Sequence, residues 1–246
     1  MTAKSILFLA TLLSVCPQPS HCAEPDTLKV ISISEFTGSE IPSGWNHILP
    51  KREHAYTNFS IDRDTRGPFL RAMSSGTSSW LEKDLGEIDV AKHTTMAWMW
   101  LVNQFPKTDW EMTKEQDDFA IRVELVYDYK GGKLNIFNII RKGILTSIFK
   151  RYPPELIVSY VWALNVPPDR AYQSPSSKRI MIVPIESDVA MQGRWAREQR
   201  DIHKDLVAFM GEKHTLVLKK IRIRSDTESM PTVAESCVRR PAASNC

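Results

Sequence analysis

Glycine is scarce, with 10 residues against 15 prolines, which excludes collagen-like and glycine-rich low-complexity chains. Cysteine is scarce too: four in 246 residues are too few for a disulfide-stapled scaffold. Neither sign of charge dominates. The 32 Lys and Arg face 29 Asp and Glu, a formal net charge of +3, so no nucleic-acid partner is expected from electrostatics. No H-E-x-x-H, G-x-S-x-G, Walker loop or G-x-G-x-x-G occurs, which leaves the zincin, nucleophile-elbow and nucleotide-binding readings without support. The histidines at 21, 47, 54, 93, 203 and 214 form no i,i+3 or i,i+4 pair, so no local metal site is expected. Asp62-Arg63-Asp64-Thr65-Arg66-Gly67 opens like an EF-hand loop, but Arg66 and Met73 fill its fifth and twelfth positions, where calcium needs oxygen ligands. A polar turn is expected there. No cofactor is expected beyond a structural calcium in some other geometry.

What is present begins with an address. Met1 to Lys4, the apolar run Ile6 to Val15, then Pro17, Pro19 and Ala23 give the layout of a secretory signal peptide. The apolar run, about ten residues, falls short of the ~20 that cross a bilayer. Residues 1–23 are therefore expected to be removed, for a periplasmic or secreted destination. A lipoprotein anchored at Cys16, after Leu13-Ser14-Val15, is the competing reading. Cleavage leaves only Cys237 and Cys246, either a disulfide in an oxidising compartment or two free thiols on a polar tail over 239–246.

Residues 24–238 read as one all-β domain. Along Asp118 to Asp128, Phe119, Ile121, Val123, Leu125 and Tyr127 alternate with Ala120, Arg122, Glu124 and Val126, a strand with one core face and one wet or functional face. Thr94 to Val102 is apolar on both faces, as in a central strand. Further strands are expected at Leu28–Ile33, Phe69–Met73, Ser78–Leu85, Leu156–Leu164, Lys178–Ile185 and Leu216–Arg224. Such short segments between turn clusters predict a β-sandwich. Two segments carry helical spacing. In the insertion 130–152, Ile136, Ile140, Ile144 and Ile148 with Arg141, Lys142 and Lys150 predict a basic amphipathic helix over 134–150. It would either pack on the sandwich edge or meet a membrane surface or protein partner. Over Arg194 to Met210, one helix and a strand near Trp195 followed by a short helix from Ile202 to Met210 fit equally well.

The candidate ligand-binding residues are polar groups and aromatic rings on strands. Asp117 and Asp118 enter the clearest strand ahead of Arg122. Tyr160 and Trp162 share a strand face, Trp80 lies on another strand, and Trp195 precedes Arg200-Asp201. Flat rings flanked by Arg and Asp can stack on sugar rings and bond their hydroxyls. The same rings can also be core.

Asp117-Asp118-Phe119-Ala120-Ile121-Arg122-Val123, Ser159-Tyr160-Val161-Trp162-Ala163, Trp195 with Arg200-Asp201, and Arg224-Ser225-Asp226-Thr227 followed by Ala234-Glu235 together resemble the exported bacterial proteins grouped as domain of unknown function 3047. The resemblance spans about Trp80 to Glu235 and implies no assigned activity. It implies a jelly-roll sandwich of the galactose-binding type with one or two peripheral helices, a strand at Trp195 running into a short helix, and Asp226 and Glu235 on late strands. After Glu235 the chain departs from that pattern with Ser236-Cys237-Val238-Arg239.

These features lead to a non-catalytic glycan- or envelope-polymer-binding module. A polysaccharide hydrolase or lyase using Asp118, Asp201, Asp226 or Glu235 is the second expectation. An envelope protein docking through 134–150 is the third.

Overall fold

A computed structural model describes residues 27–28, 40–50, 55–107, 117–130, 156–164, 166–229, 232–239 and 241. The signal segment 1–23, the amphipathic segment 134–150 and Cys246 lie outside the described residues. Among the described residues thirteen strands run in chain order: β1 (Thr27–Leu28), β2 (Trp45–Ile48), β3 (Asn58–Asp64), β4 (Gly67–Ser75), β5 (Ser78–Ile88), β6 (Thr95–Gln104), β7 (Phe119–Tyr129), β8 (Leu156–Trp162), β9 (Tyr172–Gln173), β10 (Ile180–Glu186), β11 (Ala196–Asp201), β12 (Leu216–Asp226) and β13 (Val233–Arg239). Among the described residues there is one α-helix, α1 (Ile202–Met210), and one 3-10 turn, Val189–Met191.

The strands form an all-β, jelly-roll-like sandwich of two open sheets. Sheet A has the order β1-β6-β13-β4-β3, with β11 also paired to β6, and sheet B runs β2-β5-β12-β7-β8-β10-β9. Alternation decides what lies between them. Leu81 of β5, Ile221 and Ile223 of β12, Val123 and Leu125 of β7, and Val158, Tyr160 and Trp162 of β8 face Met96, Trp98, Trp100 and Val102 of β6 in one buried cluster. Rings join the two sheets: Trp98 stands 5.5 Å from Tyr160 and Trp100 5.9 Å from Trp162.

Alternation slips once where it matters. Phe119 is expected on the Ile121 face, but pairing between β12 and β7 shifts register between Arg224 and Asp226. The bulge puts Ala120 in the main core. Phe119 turns to the opposite face, against Val161, Ala163, Val166 and Ile182, as an extra residue in one strand does.

Two other expectations resolve clearly. Asp62 to Gly67 is the tip of the β3–β4 hairpin, turning at Thr65 and Arg66, with Asp64 opposite Gly67 and Gly67 at φ +111°, a conformation that glycine adopts without strain. The chain end is ordered further than expected. β13 reaches Arg239, which is 2% exposed, so Arg239 belongs to the last strand and not to the tail expected over 239–246. Cys237 is a buried free thiol in that strand, and burial pushes it up to about 12.

Candidate functional site

The run Lys220-Ile221-Arg222-Ile223-Arg224-Ser225-Asp226 alternates charge with core side chains, so β12 presents its charges on the face of sheet B turned away from sheet A. Its neighbours do the same. Trp80 of β5, Arg224 of β12, Arg122 of β7 and Val161 of β8 lie opposite one another in one row. Glu82, Arg222, Glu124 and Ser159 form the next.

These charges pair densely. Arg122 donates to both oxygens of Asp226, at 3.0 and 2.6 Å, and to Asp117 at 3.1 Å, while its guanidinium lies 4.5 Å from the centre of the Phe119 ring. Arg224 reaches Asp226 at 2.9 Å and Glu228 at 3.2 Å. Glu82 accepts from Lys220 at 2.6 Å and Arg222 at 2.8 Å, and Arg222 lies 3.9 Å from Glu124. Arg122, Asp226, Glu82 and Glu124 are all buried. Burial opposes the Arg122 charge, but Asp226 and Asp117 outweigh it and hold the guanidinium above its ordinary value. Burial also pushes Glu82 up, and Lys220 and Arg222 reverse the effect.

The Trp80 ring is half-buried and flanked by Arg222 and Arg224, whose guanidinium carbons lie 5.3 and 5.8 Å from its centre. Four polar atoms of this face are buried without a partner: Trp80 Nε1 on β5, Arg224 Nε on β12, Ser159 Oγ on β8 and Glu228 Oε2 just beyond β12. Each such atom costs about 1–3 kcal/mol if left unsatisfied.

At one end of the face, Asp118, Asp226 and Glu228 bring carboxylate oxygens within 4.8 Å of one another and form a candidate cation site. A hard cation such as calcium takes oxygen ligands. Glu228 Oε2 has no other partner, so it suits the role, whereas both Asp226 oxygens already accept from Arg122. Burial, then the Asp226 charge, pushes the Glu228 carboxyl up to about 7 from 4.5. The unfolded chain therefore releases this proton near pH 4.5 and the folded chain near 7. The Glu228 contribution to stability is fully present below pH 4.5 and is lost as pH rises towards 7. Thermal melts across pH 4 to 8 should show this decline in the native chain and not in Glu228→Gln. Calcium should restore Tm at pH 8 more than at pH 5. Equal pH profiles in the two proteins would remove Glu228 from the account.

The structure gathers four of the sequence-derived candidates, Asp117, Asp118, Arg122 and Asp226, at this end of β7 and β12 and scatters the rest. Tyr160 and Trp162 are corrected to core positions. They fall on the inner face of β8, are 0% and 1% exposed, and leave no ring face for a sugar, and the Tyr160 hydroxyl donates to Asp205 at 2.8 Å. Arg200 is held by Asp205 at 2.9 Å and by Asp169. Asp201 caps α1, accepting from the Lys204 N–H at 2.9 Å, as N-cap aspartates do. This gives the predicted strand followed by a short helix. Trp195 lies under Arg239, 3.7 Å from its guanidinium carbon. Glu235 bonds Asn103 and Arg71 on sheet A, both at 2.9 Å. Asp118, Asp201, Asp226 and Glu235 thus do not converge on one cleft. Sequence reasoning missed Glu82, Glu124, Arg222, Arg224 and Glu228. The alternation in β12 was the available signal for the arginines, whereas Glu228 follows the strand and carries none.

Comparison with solved structures gives likeness of fold at low identity. The family 11 carbohydrate-binding module of the cellulosomal cellulase Lic26A-Cel5E of Clostridium thermocellum is 10% identical, with 84% of this chain and 88% of that chain covered and a TM-score of 0.42. The xyloglucanase domain of NopAA, a type three effector from Sinorhizobium fredii, is 8% identical, with 82% and 94% covered and a TM-score of 0.38. No curated protein matches the chain. A family profile matches residues 43–240, and the chain belongs to that family, described as "Protein of unknown function (DUF3047)".

Proposed function

We propose that this is an exported, non-catalytic module that binds a glycan or envelope polymer on the Trp80 face of sheet B. The observation that carries the reading is the half-buried Trp80 ring flanked by Arg222 and Arg224, on a face where Trp80 Nε1, Arg224 Nε, Ser159 Oγ and Glu228 Oε2 have no partner. Buried polar groups in folded proteins are almost always satisfied. A ligand rich in hydroxyls would satisfy several at once while its sugar ring stacks on the indole. The signal layout of residues 1–23 supports export to the compartment where such polymers lie.

Titration of tryptophan fluorescence against cell-wall and extracellular polysaccharides tests the reading. Saturable binding is expected, and Trp80→Ala should weaken it roughly tenfold, the equivalent of about 1.4 kcal/mol of lost stacking. Trp195→Ala should leave it unchanged. Binding that survives Trp80→Ala and is lost in Trp195→Ala would move the site to sheet A, and absence of binding across the panel would end the glycan reading.

A further inference from the structure

The charge arrangement on this face bears on which glycans it takes. Four cations, Lys220, Arg122, Arg222 and Arg224, stand among six carboxylates, those of Glu82, Asp117, Asp118, Glu124, Asp226 and Glu228. Every arginine already faces at least two of them. Arg122 holds Asp226 and Asp117, Arg224 holds Asp226 and Glu228, and Arg222 holds Glu82 and faces Glu124. Among the described residues of this face no guanidinium is left to neutralise a carboxylate brought in by a ligand. To recruit one, an acidic polymer would have to displace an internal partner and leave a carboxylate uncompensated, a costly exchange in a desolvated site.

The partnerless atoms point the same way. Trp80 Nε1 and Arg224 Nε can only donate, Glu228 Oε2 accepts when ionised, and Ser159 Oγ does both. A hydroxyl donates and accepts, so a polyol can meet donors and acceptors alike. A carboxylate or sulfate only accepts and can meet the donors alone. Resting on the glycan reading above, we propose that the Trp80 face selects uncharged polysaccharides and rejects polyuronates.

Affinity electrophoresis of the intact protein tests this, with gels containing a neutral β-glucan, arabinoxylan or galactomannan set against gels containing polygalacturonate or alginate. Retardation is expected in at least one neutral gel, unchanged between low and high salt, absent from the uronate gels and at least tenfold weaker for Trp80→Ala. Salt-sensitive retardation confined to the uronate gels would overturn the selectivity and leave the glycan reading intact. Free migration in every gel would overturn both.

Discussion

Arg122→Met should lower the stability of the protein by about 3–5 kcal/mol, the usual loss when one partner of a buried ion pair is removed. Arg122 is 2% exposed and Asp226 0%, so water cannot replace the missing guanidinium. Arg224 holds only one Asp226 oxygen, at 2.9 Å, and the Phe119 N–H reaches the other at 3.3 Å. Most of the Asp226 charge would therefore be stranded. Urea unfolding measures the loss as a fall in midpoint at constant slope. The double variant Arg122→Met with Asp226→Leu should recover much of it, because the pair would then be absent and no charge would be left buried alone. A loss below about 1 kcal/mol, the range of exposed ion pairs, would show that water reaches this end of the sheet.

The same network explains what the sequence disclosed and what it withheld. The period of two in β7, β8 and β12 located the strands and the inner face, because burial between two sheets imposes it. That period also marked Arg122 as lying on the other face. It could not reveal that Phe119 had changed sides, since the bulge depends on how β7 meets β12 and not on β7 alone. Tyr160 and Trp162 look the same in sequence whether they serve a ligand or fill a core. Only the facing Trp98 and Trp100, contributed by β6 across the sandwich, decide between the two. Asp201 and Arg200 were conspicuous as a pair, yet they act on the start of α1 and on its Asp205. Glu82, about 140 residues from Arg222 in the chain, had no local mark of its role. Pairs of this kind arise only from strand order.

The charged face of sheet B and the outer face of sheet A therefore do different work. On sheet B, among the described residues, carboxylates outnumber the cations, and the half-buried Trp80 ring lies between Arg222 and Arg224. On sheet A, Asn103, Glu235, Arg71 and Asp62 pair with one another and Arg239 lies over Trp195, while Arg71 Nε and Arg239 Nε are left without partners.

Arg239→Ala should cost about 2–4 kcal/mol, combining a desolvated cation–aromatic contact with charge-assisted hydrogen bonds. Arg239 ends β13 and ties three parts of the chain together. It holds both oxygens of Asp64 in the β3–β4 hairpin, with Nη1 at 2.8 Å from Oδ1. Its guanidinium carbon also lies 3.7 Å from the Trp195 ring centre and 5.5 Å from that of Phe69. Lysine cannot supply the planar fork, so Arg239→Lys should recover little. The pH dependence separates the ion pair from the packing. The hydrogen bonds from Arg239 hold the Asp64 carboxyl down to about 2 from 3.8. This contribution is present above pH 3.8 and is lost as pH falls through about 2. The stability difference between the native chain and Arg239→Ala should therefore narrow as pH is lowered from 4 towards 2, and the part that persists belongs to Trp195 and Phe69. A difference that stays constant over that range would assign the whole effect to packing.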